Sequence, residues 1–420
     1  MLSLAFIRAN ADVVRRAAEL KGETAPVDEI LRLDQEWRGH QFKAESIKAE
    51  QNELSKQFAK TRDDSLKEKL REMADTAKGE LALADTMKRE LDDLLLRVPN
   101  IFHESVPIGE TEADNLVVRE WGIKPDLGFA PRTHYDLGEA LGIMDFEHAA
   151  RVSGSRFAFL LGEGARLERA LVQFMLDVHT REHGYTEVWP PMLVNSASMV
   201  GTANLPKFAD QAFKVEDRDL WLIPTAEVPV TNFHRDEILE AERLPLKYVA
   251  YAPSWRTEAG AAGKDTRGFI RLHQFSKVEL VKVTSAETSL EEFEQLTRDA
   301  EDILQRLGLH YQVMAMCTGD MGFAQYKKYD LNAWAPGLDR YLEVSSCSTF
   351  NDFQAMRANI RYRPGRGTSP KFTHTINGSG LALPRTVDAI IETYQRSDGM
   401  IAVPDVLKPY LGGVELIGAR

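Results

Sequence analysis

A pattern of apolar residues at alternating steps of three and four runs through the N-terminal quarter of the chain. One run extends from Ile30 to Phe58 and a second from Leu66 to Leu94. Polar residues interrupt the two runs at His40, Gln51 and Glu80. Such heptad spacing predicts two long helices that pack along a narrow apolar seam.

A short polar segment at residues 61–65 separates the two runs, and no proline lies between Pro26 and Pro99. The segment contains residues typical of a helix end and of a following N-cap, so the helices are expected to fold back on each other. The pattern therefore predicts an antiparallel coiled-coil hairpin over residues 27–97. A single helical hairpin buries little apolar surface and so contributes little stability. Its length therefore indicates an arm that projects from the rest of the protein.

Two prolines mark a domain boundary after this hairpin, because Pro99 and Pro107 prevent continuation of the second helix. We therefore assign residues 1–103 to an N-terminal domain and residues 104–420 to a second domain. In the first domain, residues 4–21 are amphipathic and predict one short helix. A chain of 420 residues with 43% hydrophobic content is long enough for two domains and a sizeable core.

The second domain mixes helix and strand patterns, which predicts an α+β fold. Helices are expected at residues 166–182 and 284–307, where apolar residues recur at helical spacing. Strands are expected at residues 246–255 and 269–283. The glycine-containing loop 259–268 between these strands indicates an antiparallel hairpin.

Polar side chains on this predicted hairpin form the first candidate site. Because side chains alternate along a strand, Arg256 and Glu258 share one face, and Arg271, Phe275 and Glu279 share a face of the second strand. The eight residues of the second set span roughly 27 Å, enough for a nucleotide and a small second substrate. Arginines suit phosphate oxygens, an aromatic ring suits a base, and a carboxylate suits an ammonium group. The alternative is a solvated polar strand face.

Two further segments carry candidate polar groups. Thr225 and Glu227 are expected on one strand face. Glu343, together with Ser345 and Ser346 at a strand end, offers the hard oxygen ligands that magnesium prefers. Ordinary strand polarity also explains both segments.

A glycine-rich run over residues 373–383 predicts a turn that leads into a helix. Pro384 suits the first turn of that helix, and Arg385 would lie at its positive N-terminal end, where a nucleotide could bind. A solvated arginine near a helix start is the alternative.

The formal net charge of −12 argues against indiscriminate nucleic-acid binding, because non-specific affinity depends on phosphate neutralisation. The tip of the helical hairpin, residues 56–71, differs from the whole chain, with six basic residues against three acidic ones. The basic residues are Lys56, Lys60, Arg62, Lys67, Lys69 and Arg71. A basic tip on an acidic stem suits end-on contact with a phosphate backbone, and a merely solvated coil end is the alternative.

Cysteine use and hydropathy exclude several classes of protein. Cys317 and Cys347 are thirty residues apart, which fits neither a disulfide framework nor a cysteine zinc site, and a reducing cytoplasm is expected. No apolar run approaches the roughly 18 residues of a membrane-spanning helix, so we expect no membrane association. His179 and His183 match the spacing of some zinc peptidases, but solvent-facing histidines on an amphipathic helix explain them better.

The order Arg-x-Glu, glycine-containing loop, Arg-x-x-x-Phe at residues 256–275 resembles motif 2 of the class II aminoacyl-tRNA synthetases. The residues within and around this motif are similar to those of the bacterial type of seryl-tRNA synthetases in particular. Residues 184–192 resemble motif 1, with Pro191 in the motif position, and residues 373–385 resemble motif 3. Many bacterial relatives have Val-Gly before the motif 3 arginine, where this chain has Leu383 and Pro384.

This resemblance covers essentially the whole chain and implies both a fold and an activity. The implied fold is an N-terminal tRNA-binding domain with a coiled-coil arm, followed by a class II catalytic domain with a mainly antiparallel sheet flanked by helices. The implied activity is the activation of L-serine with ATP and Mg²⁺ to seryl-adenylate, and transfer of serine to the 3′ end of tRNA(Ser). A homodimer is implied as well, and whether selenocysteine tRNA is also charged stays open.

Site residues follow from the resemblance at the matching positions of this sequence. Arg256 and Arg271 are the expected catalytic residues, at the α- and γ-phosphates, and Phe275 and Arg385 are expected to hold adenine between them. The expected ATP-binding set is Arg256, Thr257, Glu258, Arg271, Phe275, Glu343, Val344, Ser345, Ser346 and Arg385. The expected serine-binding set is Thr225, Ala226, Glu227, Glu279, Asn377 and Ser379. Glu343 and Ser346 are expected to hold Mg²⁺, and the basic tip residues are expected to bind the tRNA.

Two alternative functions stay open from the sequence. One is a seryl-like ligase that activates an amino acid for a carrier protein, although relatives of that kind lack the long arm and use zinc. The other is a non-catalytic RNA-binding paralogue, which should have lost motif residues that this chain retains.

Overall fold

The computed structural model describes residues 1–259 and 268–418. The chain divides into two compact units, Met1–Pro99 and Asn100–Arg420. Part of the predicted loop, residues 260–267, lies outside the described residues.

The first unit is entirely helical in its regular structure. Its helices are α1 (Leu4–Ala9), α2 (Ala11–Leu20), α3 (Val27–Thr61) and α4 (Ser65–Leu95). The prediction of one helix over residues 4–21 is wrong, because the chain breaks at Asn10. The Asn10 side chain donates to the carbonyl of Phe6 at 3.0 Å, which is the local competition with helical bonding that asparagine offers.

The predicted hairpin is confirmed, because α3 and α4 pack against each other along the expected seam. Apolar seam residues such as Ile30, Ala44 and Ala84 are fully buried. The polar interruptions are matched across the seam: His40 Nδ1 lies 2.5 Å from Glu80 Oε2. Gln51 likewise donates to the carbonyl of Leu70 on the other helix, at 3.0 Å. Polar pairs of this kind fix the register of the two helices.

A three-residue turn joins the two long helices. Arg62 adopts a left-handed backbone conformation with φ of 52° and ends α3. Asp63 accepts hydrogen bonds from the backbone and the side chain of Ser65, at 3.0 and 2.7 Å, which forms an Asx turn. The N-cap residue itself, Asp64, makes no side-chain capping bond. These bonds hold the pKa of Asp63 below its ordinary value.

The second unit contains helices on a large sheet. Its helices are α5 (His134–Ala140), α6 (Phe146–Ser153), α7 (Gly162–Arg181), α8 (Ser196–Gly201), α9 (Glu227–Thr231), α10 (Ser289–Arg306), α11 (Phe353–Ala358) and α12 (Leu383–Thr393). Gly184 follows α7 with φ of 73°, as the predicted stop requires. Helix α10 starts five residues later than predicted, because residue 284 still belongs to a strand.

The strands of the second unit fall into one large sheet and several short pairings. They are β1 (Leu116–Trp121), β2 (Met144–Asp145), β3 (Phe159–Leu160), β4 (Thr186–Glu187), β5 (Leu193–Val194), β6 (Trp221–Leu222), β7 (Ile238–Glu240), β8 (Leu246–Trp255), β9 (Gln274–Thr284), β10 (Tyr311–Ala315), β11 (Lys327–Ala335), β12 (Arg340–Thr349), β13 (Arg361–Arg363), β14 (Lys371–Phe372), β15 (His374–Ala382), β16 (Ile401–Ala402) and β17 (Leu416–Ile417). Within the described residues the large sheet has the order β1-β10-β11-β12-β15-β9-β8-β4.

The large sheet is antiparallel except at one edge, where β4 pairs parallel with β8. Residues of α7, α10 and α12 pack against it in one apolar core, which includes Val278 and Leu280 of β9. Neighbouring residues of β9, such as Lys277 and Glu279, point to the opposite face. The sheet therefore has one apolar face under helices and one face that carries polar groups. This arrangement confirms the expected α+β fold.

The hairpin prediction is confirmed for β8, which covers the expected residues and pairs antiparallel with β9. The second strand begins at Gln274 rather than at residue 269. Arg271 therefore precedes the strand, and the prediction that it shares a strand face with Phe275 and Glu279 is wrong. Arg256 and Glu258 likewise follow the end of β8, and Glu258 has φ of 51°.

Three further predictions of local structure are wrong. Glu227 starts helix α9, so Thr225 and Glu227 do not lie on a strand. Glu343, Ser345 and Ser346 lie inside strand β12 rather than at its end. The glycine-rich run predicted as a turn is mostly strand β15, because its neighbours β9 and β12 supply partners on both sides. The helix start at Pro384 and Arg385 is confirmed.

Cys317 and Cys347 are free and buried. Among the described residues, no helix combines the length and the apolar character needed to cross a membrane.

The matched polar pair in the seam gives a testable prediction. His40→Leu leaves the Glu80 carboxylate, a partly buried group, without its partner. We expect faster amide exchange in the adjacent turns of α3 and α4, measured by hydrogen–deuterium exchange of the full chain. His40→Leu combined with Glu80→Leu restores an apolar seam and should slow exchange below that of the unmodified chain.

Glu45→Leu, at an exposed position of α3, is the matched control and should leave exchange unchanged. Equal exchange in the single and double leucine variants would contradict a coupling between the two side chains.

Candidate active site

A cleft of about 370 Å³ opens on the polar face of the large sheet. Most of the site residues expected from the sequence line it. These are Thr225, Glu227, Arg256, Glu258, Arg271, Phe275, Glu279, Glu343, Ser346, Asn377, Ser379 and Arg385. The cleft therefore gathers groups from six separate segments of the chain.

Strand β9 forms the floor of the cleft. Phe275, Lys277 and Glu279 occupy alternate positions, so their side chains point to the same face. The guanidinium of Arg256 lies 5.1 Å from the centre of the Phe275 ring, a cation–π contact that holds the arginine over the floor.

One end of the cleft is a small, polar and deeply buried pocket. Thr225 donates from its hydroxyl to Glu279 Oε2 at 3.0 Å. The Lys277 ammonium pairs with Glu279 and also donates to the Thr225 hydroxyl, at 3.2 Å. Glu279 is only 2% exposed, so these contacts partly offset the cost of burying its charge.

Strand β15 supplies the other wall of this pocket through an irregularity in its pairing. Ser379 lies opposite Glu279, and Asn377 lies two residues earlier on the same face. The register then shifts at Gly380. A Cβ at Gly380 would come within 3.0 Å of both the His179 ring and the Val278 side chain, so the close approach requires glycine.

Glu227 completes the pocket from the first turn of α9. The side-chain amide of Gln354 donates to Glu227 Oε1 at 2.7 Å, and the Thr375 hydroxyl in turn donates to the side-chain Oε1 of Gln354 at 2.7 Å. Burial and the nearby Glu279 charge raise the pKa of Glu227, and with the lowering effects of Gln354, Lys277 and Arg256 included its pKa is about 7. Glu227 is therefore a carboxyl that changes its charge near neutral pH.

A β-bulge in β12 brings two oxygen ligands to the same wall of the cleft. Asn332 pairs with Glu343 and Leu331 with Ser345, which leaves Val344 as an extra residue in the ladder. Glu343 and Ser346 are three residues apart and would face opposite sides of a regular strand. The bulge restores a common face, and both residues line the cleft.

The far end of the cleft carries the remaining arginines. Arg271 donates to Glu258 Oε2 at 2.7 Å. Arg385, at the start of α12, donates to the carbonyl of Ile270 at 3.1 Å and to the carbonyl of Glu343 at 2.8 Å. Its charged group thereby joins the motif 2 segment to strand β12.

Four expected site residues do not line the cleft. Thr257 donates its hydroxyl to the carbonyl of Asp210 at 2.7 Å. Ser345 donates to the carbonyl of Ser379 at 2.6 Å. Ala226 and Val344 are fully buried in apolar clusters. These four side chains support the walls of the cleft.

Several cleft residues were missed from the sequence. Lys277 could have been found, because it lies between Phe275 and Glu279 at the strand period of two. Ser348 likewise follows Ser346 by two residues. Lys328 and Gln325 also line the cleft, and Lys328 pairs with Asp330 at 3.1 Å, but no local signal indicates either residue.

The histidine pair with zinc-peptidase spacing is neither solvent-facing nor part of a metal cluster. His179 is fully buried, and its Nδ1 lies 3.0 Å from His183 Nδ1. Burial lowers the pKa of His179 to about 3, so its ring is neutral. Within residues 1–259 and 268–418, no group of three potential metal-ligating side chains was found.

Comparison with known proteins bears directly on this cleft and on the helical unit. Residues 213–394 match the model of the tRNA synthetase class II core domain (G, H, P, S and T). Residues 1–102 match the model of the seryl-tRNA synthetase N-terminal domain. The chain is 53% identical over 416 residues to the serine–tRNA ligase of Caldanaerobacter subterraneus subsp. tengcongensis, covering 98% of both chains. It is 51% identical over 424 residues to the Bacillus subtilis serine–tRNA ligase, covering 99% of this chain and all of the relative.

The chain belongs to the seryl-tRNA synthetase family.

Solved structures of the family agree with the fold described above. The crystal structure of seryl-tRNA synthetase from Pyrococcus horikoshii complexed with ATP superposes with a TM-score of 0.95 at 40% identity, covering 99% of both chains. The cytoplasmic serine–tRNA ligase from Naegleria fowleri in complex with AMP gives a TM-score of 0.89 at 32% identity, covering 99% of this chain and 98% of that chain. The resemblance inferred from the motifs is confirmed, and the activity of this seryl-tRNA synthetase family member is that of a serine–tRNA ligase.

The partly buried Glu227 carboxyl, whose pKa is raised, gives a prediction about stability. A carboxyl whose pKa is raised on folding costs stability above its folded pKa, and the cost disappears below its unfolded pKa. Glu227→Gln should therefore raise the free energy of unfolding by up to about 3 kcal/mol at pH 8 and by less than about 1 kcal/mol near pH 4.5, where the unfolded carboxyl is only about half ionised. Urea denaturation of the ligand-free protein at both pH values measures this difference.

Glu216→Gln, at an exposed position, is the matched control and should change neither value. A loss of stability in Glu227→Gln at pH 8 would mean that the carboxylate charge is compensated in the folded protein.

Proposed function

We propose that the cleft activates L-serine with ATP to give seryl-adenylate and pyrophosphate, and that serine is then transferred to the 3′ end of tRNA(Ser). The observation that carries this proposal is the pairing of a buried carboxylate–hydroxyl pocket with an arginine- and aromatic-lined groove in one cleft. The ATP and AMP complexes of the two structural relatives support a nucleotide in the same fold.

The proposed chemistry needs positioning and charge neutralisation rather than a general base. The serine carboxylate is already nucleophilic, and it attacks the α-phosphate with departure of pyrophosphate. Arg256 holds the α-phosphate and Arg271 the γ-phosphate. Phe275 and Arg385 hold the adenine ring between them, and Glu258 contacts the adenine side. Arg271 is paired with Glu258 at 2.7 Å, so its guanidinium lies beside the carboxylate proposed to contact adenine.

The proposed serine pocket selects its substrate by hydrogen bonding. Glu279 and Glu227 suit the ammonium group, while Thr225, Asn377 and Ser379 supply hydroxyl and amide partners. Rejection of alanine follows because the same buried groups would be left unpaired, an effect of roughly 10⁴-fold. Threonine is excluded by the size of the pocket.

Glu343 and Ser346 fit a magnesium ion, because the β-bulge brings a carboxylate and a hydroxyl to one wall beside the proposed phosphate site. When bound there, Mg²⁺ would neutralise phosphate charge. Lys328 lies on the same wall and supplies a further positive charge.

The proposed tRNA contact is the tip of the α3–α4 arm, directed at the long variable arm of the tRNA. All six basic residues of the tip are exposed. Their charges are therefore accessible to a phosphate backbone. The same surface would serve selenocysteine tRNA if that tRNA is a substrate.

The proposed homodimer has support in an exposed apolar surface of the catalytic unit. Trp189, in the motif 1 segment, is 83% exposed, and Ile123 is 91% exposed. Leu116, Val117 and Val118 of the edge strand β1 are also exposed. Apolar side chains along a sheet edge suit pairing with a second copy. A cytoplasmic location is proposed as well, in keeping with the two free cysteines.

The two alternative functions are less well supported. A carrier-protein ligase of the zinc-dependent kind lacks the long arm, which this chain has in α3 and α4. A non-catalytic paralogue should have lost charged cleft residues, and Arg256, Glu258 and Arg385 all line the cleft.

Amino-acid-dependent exchange of pyrophosphate into ATP tests the proposal. Serine should support exchange, whereas alanine, glycine, cysteine and threonine should fall at least about 10³-fold below it in kcat/KM. Exchange with none of these amino acids would favour the non-catalytic paralogue.

Acylation of tRNA(Ser), and separately of selenocysteine tRNA, tests the role of the arm. Replacing residues 60–67 with a short neutral turn should reduce kcat/KM for acylation by at least about tenfold while serine-dependent exchange is retained. A replacement of equal length that keeps the basic residues is the matched control. Unchanged acylation after the neutral replacement would contradict the proposed tip contact, and exchange without any acylation would favour the carrier-protein ligase.

A further inference from the structure

Three ionisable side chains without solvent exposure lie behind the part of the cleft wall formed by residues 269–271, where ATP is proposed to bind. His134 of α5 and both Asp388 and Glu392 of α12 are fully buried. His134 is bound to Glu392 twice, because its backbone N–H and its Nδ1 lie 2.9 and 2.7 Å from Glu392 Oε1. Glu392 Oε2 accepts from the backbone of Gly337 and Leu338, so the Glu392 carboxylate is fully used.

The other nitrogen of His134 lies between a donor and an acceptor. Its Nε2 is 3.4 Å from the backbone N–H of Phe269 and 3.5 Å from Asp388 Oδ2. A neutral ring whose Nδ1 donates to Glu392 accepts from Phe269 at Nε2. A protonated ring instead donates from Nε2 to Asp388 and cannot accept from Phe269. Among the described residues, Asp388 has no hydrogen-bond partner that would hold its carboxylate in another direction.

The Phe269 contact matters because it fixes a segment of the cleft wall. Gly268 approaches His134 so closely that a Cβ there would come within 2.3 Å of Nε2. Ile270, next to Phe269, accepts through its carbonyl from Arg385 Nε, and Arg271 follows immediately. His134 therefore contacts the backbone segment that contains Arg271 and that accepts a hydrogen bond from Arg385. Both arginines are proposed to bind ATP.

We propose that His134 is a positioning residue for ATP, which holds the Phe269–Arg271 backbone in place when its Nε2 accepts from Phe269 and releases it when a proton lies between Nε2 and Asp388. The proposal rests on the proposed function, because it concerns the affinity of the same cleft for ATP. Asp388 does not contact the substrate in this proposal. Its carboxyl group determines whether His134 Nε2 accepts from Phe269 or shares a proton with Asp388.

The charges around the cluster favour uptake of a proton as the pH falls through neutrality. Burial and the Glu392 charge raise the pKa of Asp388, and with the lowering effects of His134 and Arg385 included its pKa is about 7. Burial acts to lower the pKa of His134, but Asp388 and Glu392 together outweigh it and the opposing Arg340 charge, and the pKa is raised. A proton taken up by this pair lies between His134 Nε2 and Asp388 Oδ2, and on either atom it occupies the Nε2 lone pair that otherwise accepts from Phe269. Affinity for ATP is therefore expected to weaken towards pH 6.

Asp388→Asn removes the charge that favours the protonated histidine and keeps the side-chain shape. Titration calorimetry of Mg-ATP at pH 8 and pH 6 gives the Kd of each variant without requiring catalysis. The Kd of the unmodified protein should rise about fivefold more than that of Asp388→Asn over this interval. Protonation of ATP itself affects both proteins equally and cancels in the ratio.

His134→Ala should raise the Kd for ATP about tenfold at pH 8 and show the same weak pH dependence as Asp388→Asn. His148→Ala, at an exposed histidine of α6, is the matched control and should behave as the unmodified protein does. An equal pH dependence in Asp388→Asn and in the unmodified protein would overturn the inference, even if His134→Ala fails to fold. If the unmodified protein binds no ATP at pH 8 and none at pH 6, the proposed function itself is refuted.

Discussion

The register of three neighbouring strands, β8, β9 and β15, is the constraint on which the rest of the catalytic unit depends. Side chains alternate along a strand, so a slip of one residue would turn Glu279 into the apolar core and Val278 into the cleft. The apolar face fixes this register, because Val278 and Leu280 pack under the helices without exposure. Core packing on one side of the sheet therefore determines which polar groups meet on the other.

Two irregularities adapt this regular pairing to the site. The bulge at Val344 gives Glu343 and Ser346 a common face, and the shift at Gly380 follows Ser379 in β15. The cleft also holds charge that is costly to bury, as the raised pKa of Glu227 shows. Such groups lower the stability of the ligand-free protein, and a bound substrate with the complementary charge would recover part of that cost.

The sequence predicts the parts of this protein that local periodicity specifies. The α3–α4 arm follows from heptad spacing, and β8 follows from an apolar run beside a glycine-containing loop. The charged cleft residues around β9 were identified from alternation and from a family resemblance. The same alternation also places Lys277 on the face of Phe275 and Glu279, so this cleft residue was predictable from the sequence.

Features that depend on distant partners could not be predicted from local patterns. The bulge at Val344 is visible only against β11, and the glycine-rich run becomes strand β15 only because β9 and β12 lie beside it. The contact between His134 and Glu392 joins residues 258 positions apart. Glu227 looked like a strand residue, because a helix as short as α9 has too few turns to show its period.

We propose that the buried carboxylate of Glu279, at the floor of the cleft, recognises the serine ammonium group. Glu279→Gln preserves the shape of the side chain and removes its charge, and kcat/KM for serine in pyrophosphate exchange measures the effect. We predict a loss of at least about 100-fold, in line with about 2.7 kcal/mol for a buried hydrogen bond between charged groups, with the Kd for Mg-ATP changed by less than about threefold. An unchanged kcat/KM for serine, or an equal loss of ATP affinity, would contradict the account.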